Sequence, residues 1–202
     1  MARHTRWVTE TGTGHSQRLV ATFRRMAAEG RDLAGEARLL DAMIPPGSSV
    51  LDAGCGSGRV GAALAERGHT VCGVDADEFL IEAAREDFPH VEWLVGDLSE
   101  LDLTAGGQRR IFDAAILAGN VMPYLAPDTE VQVLRRVGAH VRPDGPILVG
   151  FGTTRGYAVA DFDAHAIAAG LIVEQRFATW DLRPWRADAD FAVTVLRRPA
   201  GD

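Results

Sequence analysis

The stretch Val50-Leu51-Asp52-Ala53-Gly54-Cys55-Gly56-Ser57-Gly58-Arg59 sets three glycines on alternate positions directly after a short apolar run. A carboxylate, Asp52, stands two residues before the first of them. Such a run reads as a strand turning into a helix, and glycine there lets the backbone turn tightly and approach a ligand closely. The helix that follows offers free N–H groups at its N-terminus. Two registers compete. Gly56-Ser57-Gly58-Arg59-Val60-Gly61 is a literal G-x-G-x-x-G, the dinucleotide fingerprint, with Asp75 downstream as the acidic residue of that motif. This register leaves Gly54 unexplained and sets Asp52 beside a pyrophosphate, which it would repel. The register D-x-G-x-G-x-G, Asp52 through Gly58, makes the loop acidic. It calls for a ligand with an adenosine part and a cationic tail. A glycine turn without a ligand accounts for any one of these glycines, but poorly for three alternating beside a carboxylate.

Outward from this loop the hydrophobic pattern alternates regularly. An N-terminal helical region is expected over His15 to Met43, broken near Gly30–Asp32 and stopped by Pro45 and Pro46. SSVLDAG reads as a strand, Ser57 to Arg67 as a helix and HTVCGVD as a second strand. Asp77 is expected to N-cap the next helix, and VEWLVGD is a third strand. After a polar loop containing Gly106 and Gly107 come the strand RIFDAAILAG, a helix over Pro127 to His140, and the strand PILVGFG. A helix over Asp161 to Ala169 precedes two β-branched runs, LIVEQRFATW and DFAVTVLRR, with no helix between them. The alternation predicts an α/β fold with a doubly wound, mostly parallel seven-stranded sheet closed by a C-terminal antiparallel hairpin. One domain over 1–202 is the economical reading: a helical segment at 1–44, a ligand-binding core at 48–151 and a C-terminal helix and hairpin at 152–202.

Composition narrows the classes. Of 202 residues 47% are hydrophobic and 24% charged, as in ordinary globular domains. The formal net charge is −7, and all 21 basic residues are arginine, scattered rather than clustered. Neither nucleic acid nor an anionic membrane surface is favoured as a partner. No apolar run approaches a membrane span, and residues 1–16 lack the apolar stretch of a signal peptide, so the expected location is cytoplasmic. Cys55 and Cys72 form neither a disulfide framework nor a zinc-ligand spacing, and no metal site is expected.

Four signals then fall in order: VLDAGCGSG, VDAD with Asp75 at the end of the second strand, VGDL with Asp97 at the end of the third, and FDAAILAGNVMPYL, where the fourth strand runs into a loop. Over about residues 48–151 the chain resembles the class I S-adenosylmethionine-dependent methyltransferases, which have a Rossmann-like fold. The resemblance implies S-adenosylmethionine as cofactor and S-adenosylhomocysteine as product. It implies that Gly54, Cys55, Gly56, Ser57 and Gly58 pass under the methionine and ribose parts, with Asp52 near the amino-acid end. Asp75, next to Ala76, would accept from both ribose hydroxyls. Asp97 would accept from the adenine amino group with Leu98 against the ring, and the carbonyl of Ala118 or Gly119 would lie near the ammonium or sulfonium. The N-terminal helical region would fold over the cofactor, with Arg18 or His15 meeting its carboxylate and Trp7 as an aromatic candidate. Asp113, at the start of its strand, reads as structural.

The acceptor is less legible, because methyl transfer needs alignment more than any particular catalytic group. His15, Asn120 and Tyr124 are the candidates for a role in the chemistry. Asn120, Tyr124, Phe151, Trp180, Arg183 and Trp185 are the candidates for an acceptor wall, with Arg155 and Tyr157 nearby. An even alternative makes Asp181 and Arg183 an ion pair between two tryptophans packed on the core. His4 is expected to be solvated; His69, His90, His140 and His165 are expected at the surface or as caps. AGNVMPYL lacks the tetrapeptide of base-amino methylation and the acidic residues of aminopropyl transfer. The expected function is methyl transfer to an O, N or S atom of a small-molecule acceptor by a monomer or homodimer. The alternatives are an NAD(P)-dependent oxidoreductase, disfavoured by Asp52 and by the absence of lysine, and a non-catalytic binder of the same cofactor.

Overall fold

The computed structural model describes residues 5–11 and 14–200; the reading of His4 falls outside them. In chain order the elements are α1 (Arg6–Glu10), α2 (His15–Ala28), α3 (Gly35–Asp41), β1 (Ser49–Ala53), α4 (Arg59–Ala65), β2 (Thr70–Asp75), α5 (Glu78–Asp87) and β3 (Glu92–Val95). Then come β4 (Thr104–Ala105), β5 (Gln108–Arg109), β6 (Ala114–Leu117), α6 (Val121–Tyr124), α7 (Glu130–Ala139), β7 (Pro146–Gly152), α8 (Val159–Ala168), β8 (Ile172–Phe177) and β9 (Phe191–Arg197). Seven strands form one sheet in the order β3-β2-β1-β6-β7-β9-β8. All pairings from β3 to β7 are parallel, while β9 runs antiparallel between β7 and β8. The expected doubly wound sheet with its antiparallel hairpin is therefore present.

Strand alternation sorts the core into two layers. Leu51, Cys72, Val74, Ala115, Leu117, Ile147 and Val149 face α7 and α8, where they meet Val133, Leu134, Val137 and Phe162. Their neighbours Val50, Val71, Ala114, Ile116 and Leu148 face α3, α4 and α5 and pack on Leu40, Leu64, Ile81 and Trp93. Sequence-based boundaries differ modestly from those observed. Helix α7 begins at Glu130 rather than Pro127, because Asp128 takes a φ of 63° and holds the preceding turn outside the helix. The segments read as tail and loop also hold short structure: α1, the β4–β5 hairpin and α6. Each has five residues or fewer, too few for periodicity to register.

His69 departs from the expectation of a surface or capping residue. His69 is buried with Nε2 2.9 Å from Asp41 Oδ1, where α3 meets the entry to β2. His140 is the C-cap residue of α7 as expected, its Nδ1 2.8 Å from the Arg136 carbonyl oxygen, but it is buried rather than at the surface, and its Nε2 accepts the Leu103 N–H at 2.9 Å. Asp113 is structural as expected, accepting from the Ser49 N–H (2.8 Å) and hydroxyl (2.9 Å) at the far edge of the sheet.

Candidate functional site

Parallel strands end on one edge of the sheet, and the topology reverses between β1 and β6, which is where ligands bind in open α/β sheets. Asp52 lies within β1, Asp75 ends β2, Asp97 follows β3, and Ala118–Asn120 follows β6. Two adjoining cavities open there. One of about 120 Å³ is lined by Gly54, Gly56, Asp75, Ala76, Asp97, Leu98, Gly119 and Asn120, with Trp7, Val121 and Tyr124 above. The other, of about 290 Å³, is lined by Asp52, Cys55, Ser57, Ala118, His15, Arg59 and Arg155, and shares Trp7, Gly54, Gly56, Gly119, Asn120 and Tyr124 with the first. Of the expected cofactor residues, all but Gly58 and Arg18 line one or both.

The loop is built for close approach. Gly54 has a φ of 81°, and a Cβ there would come within 2.4 Å of Val121. Its N–H and that of Cys55 both donate to the Val74 carbonyl, which ties the turn to β2. The Gly56 N–H donates to Asp75 Oδ2 (2.8 Å) and the Asp77 N–H to Asp75 Oδ1 (2.9 Å). Each carboxylate oxygen keeps a further lone pair for a ligand. Burial raises the Asp75 carboxyl above the ordinary range, against the pull of those amides. Asp97 accepts from the Ser99 N–H with Oδ1 (2.8 Å).

Gly58 has another task. A Cβ there would lie 2.8 Å from Trp93, and at Gly61 and Gly73 it would lie 2.8 Å and 2.3 Å from the same ring. Three glycines thus form the slot that receives one indole, whose Nε1–H donates to the Phe88 carbonyl at 2.9 Å. The third glycine of the G-x-G-x-x-G register serves helix-on-sheet packing.

Asp52 is 1% exposed, and its Oδ2 has no hydrogen-bond partner of good geometry. Burial pushes its carboxyl up to about 7, opposed by the Gly61 amide and by Arg59. A carboxyl with a raised folded-state pKa keeps its proton longer in the folded chain, so this group lowers folding stability as pH rises from 3.8 to about 7. Above that pH its contribution is level. Asp52→Asn is therefore expected to lack this part of the slope: its melting temperature, relative to the native chain, should climb between about pH 4 and about pH 7. Parallel melting-temperature profiles would refute the assignment.

Asp77 caps α5 as expected, accepting from the Phe79 (3.0 Å) and Leu80 (3.3 Å) amides with Oδ1. Its Oδ2 accepts from Trp7 Nε1–H (2.9 Å) and the Ser16 hydroxyl (2.5 Å), which holds α1 and α2 over the cleft. Trp7 stands edge-on to His15 (4.7 Å) and Tyr124 (5.3 Å).

The hairpin readings need correction. Phe151 is 0% exposed and packs on Tyr157 and Phe162 beneath the sheet, away from the cleft. Trp180 lies across Gly150, where a Cβ would come within 2.2 Å of the ring, and faces a separate groove along α3. Trp185 takes the Arg176 guanidinium at 5.5 Å. Arg183 is exposed and sits 3.7 Å from Asp181. The ion-pair alternative holds for this hairpin, because Trp180 packs on Gly150 of β7 and Trp185 on Arg176 of β8. Arg18 lies on an exposed face of α2 and lines neither cavity. Arg59 does line the second cavity but is committed to Glu36 at 2.5 and 2.8 Å. Leu19, Val121 and Leu125 complete the apolar lining without any sequence signal beyond their hydrophobicity.

Comparison with known proteins agrees with this geometry. A family model described as a methyltransferase domain matches residues 50–145. The crystal structure of a TehB-like SAM-dependent methyltransferase from Corynebacterium glutamicum superposes with a TM-score of 0.86 at 41% identity, covering 93% of this chain and 100% of that one. An uncharacterized methyltransferase of Mycobacterium tuberculosis is 37% identical over 114 residues, 55% of this chain and 54% of its own. Magnesium-protoporphyrin O-methyltransferase from Rhodobacter capsulatus is 35% identical over 117 residues, 54% of this chain and 49% of its own. The chain thus spans about half the length of these sequence relatives. It belongs to the S-adenosylmethionine-dependent methyltransferases. Among the described residues no helix is long and apolar enough to cross a membrane.

Proposed function

We propose that the protein binds S-adenosylmethionine in this cleft and transfers its methyl group to an O, N or S atom of a small-molecule acceptor. The observation that carries the reading is the charge of the cleft floor. Asp52, Asp75 and Asp97 surround the glycine loop, and Arg59 beside it is neutralised by Glu36. Such a floor repels a pyrophosphate and suits a nucleoside with a cationic tail. The unpartnered Asp52 Oδ2 fits that positive charge. Asp75, already oriented by two amides, is set to accept from ribose hydroxyls, and the free oxygen of Asp97 from the adenine amino group. Leu98 supports the ring, and Trp7 and Tyr124 exclude water from above. When bound, the cofactor supplies an electrophilic methyl on sulfur; the chain's part is alignment and dryness. A small acceptor suits the modest cavities, and the name of the magnesium-protoporphyrin relative is that of an enzyme acting on a small organic molecule.

Calorimetric titration with S-adenosylmethionine, S-adenosylhomocysteine and NAD(P)H tests the cofactor. Binding of the first two at micromolar concentration and not of the third is the expected result. Binding of NAD(P)H alone would overturn it.

A further inference from the structure

Among the described residues two arginines line the cleft, and they differ. Arg59 is held by Glu36, whereas Arg155 has no acidic partner within 4.0 Å among the described residues. Arg155 lies in the loop after β7. Its Nη1 donates to the Tyr124 hydroxyl at 3.0 Å, and its guanidinium sits 6.0 Å from the centre of that ring. The tyrosine fixes the fork while leaving its remaining N–H donors free for another acceptor.

Asn120 stands beside it. Its Oδ1 accepts the Gly152 N–H at 2.6 Å, so its amide nitrogen must point elsewhere, and it has no protein acceptor among the described residues. Its φ of 72° is left-handed, tolerated by asparagine but uncommon, and such backbone gathers at ligand sites. A Cβ on Gly152 would lie 3.4 Å from Asn120 Oδ1 and 3.5 Å from Arg155 Nε, so both side chains pack on one glycine. A charged fork and an amide donor thus sit together at the mouth of the cleft. Tyr124, which holds that fork, stands edge-on to Trp7 with ring centroids 5.3 Å apart.

We propose that the acceptor is a carboxylate-bearing small molecule whose carboxylate docks on Arg155 and Asn120. This rests on the methyl-transfer reading above. A planar carboxylate matches the guanidinium fork with two parallel bonds and is charge-matched by a single cation. The acidic floor disfavours an acceptor of higher negative charge.

The test uses the full chain saturated with S-adenosylhomocysteine and titrated with benzoate, benzamide and phenyl phosphate. Benzoate is expected to bind about tenfold or more tighter than benzamide, the scale of one charge-assisted contact. In Arg155→Met this preference should vanish. In Asn120→Asp, which keeps the acceptor for Gly152 and replaces the free donor by a second acceptor, it should also vanish. Equal binding of benzoate and benzamide to the native chain would overturn the proposal, as would a preference that survives in both variants. Tighter binding of phenyl phosphate would reassign the cation to a phosphoryl group. Weaker binding of S-adenosylhomocysteine in Arg155→Met would reassign it to the cofactor's own carboxylate. Failure of the native chain to bind S-adenosylhomocysteine defeats the underlying cofactor reading and this proposal with it. Normal binding of it confines any failure to the acceptor.

Discussion

Trp93→Ala should cost about 3–5 kcal/mol of folding stability, the range for removing a buried tryptophan. At this chain length that corresponds to a fall in melting temperature of roughly 10 °C. The indole is 3% exposed and is gripped on three sides by Gly58, Gly61 and Gly73. None of these has a side chain to follow it, so the vacated volume cannot be refilled by rotamer changes. The Phe88 carbonyl loses its Nε1–H donor as well. Because Gly58 caps α4 and belongs to the cofactor loop, the variant should also bind S-adenosylhomocysteine more weakly. Trp93→Phe should recover part of both losses. The complementary change, Gly73→Ala, sets a methyl 2.3 Å from the same ring and should destabilise from the other side of the contact. Thermal melts of the three variants check this; a loss under about 1 kcal/mol in Trp93→Ala would mean the slot collapses freely, contrary to the packing described.

Asp75→Ala should lower affinity for S-adenosylhomocysteine by about 100-fold or more. On the proposed ribose contacts, two hydrogen bonds to a charged acceptor would be lost from the ligand, at about 1.5–3 kcal/mol each. The Gly56 and Asp77 amides lose their acceptor too, which loosens the loop. Asp75→Asn separates the two contributions. It retains one oxygen that can hold the Gly56 turn, but loses the charge and one acceptor. Calorimetry gives the affinity and thermal melting the integrity of the loop. If melting temperature collapses along with binding in both variants, the carboxylate matters for the turn rather than for the ribose.

The reading of the sequence and the structure agree most closely where the signal is local. The sheet, its reversal and the C-terminal hairpin follow from strand-length apolar runs and the glycines and prolines between them. The Asp77 cap was legible because it acts on amides of its own helix end. The structural role of Asp113 was legible because the start of a parallel strand lies at the edge opposite the site; its partner, Ser49 at the start of β1, was not. Asp52, Asp75 and Asp97 could be placed in one cleft because three parallel strands must end on one edge. The same logic did not extend to the hairpin, where Trp180 and Trp185 lie in a loop whose direction no periodicity specifies.

By itself, then, the sequence determined the element order, the carboxyl edge on which the site lies and the acidic character of its floor. Those depend on spacing and charge, which survive any rearrangement of neighbours. Only the tertiary structure decided which side chains stand at the mouth. Trp180 is drawn away by a slot at Gly150, and Phe151 by the Tyr157 and Phe162 rings. Arg59 is silenced by Glu36, some twenty residues upstream, while Arg155 has no acidic partner among the described residues. Gly58 and Gly61 turn out to serve Trp93, from another strand of the sheet. Each of these outcomes is a competition between distant groups for one volume or one charge, and it is settled only when the chain has brought them together.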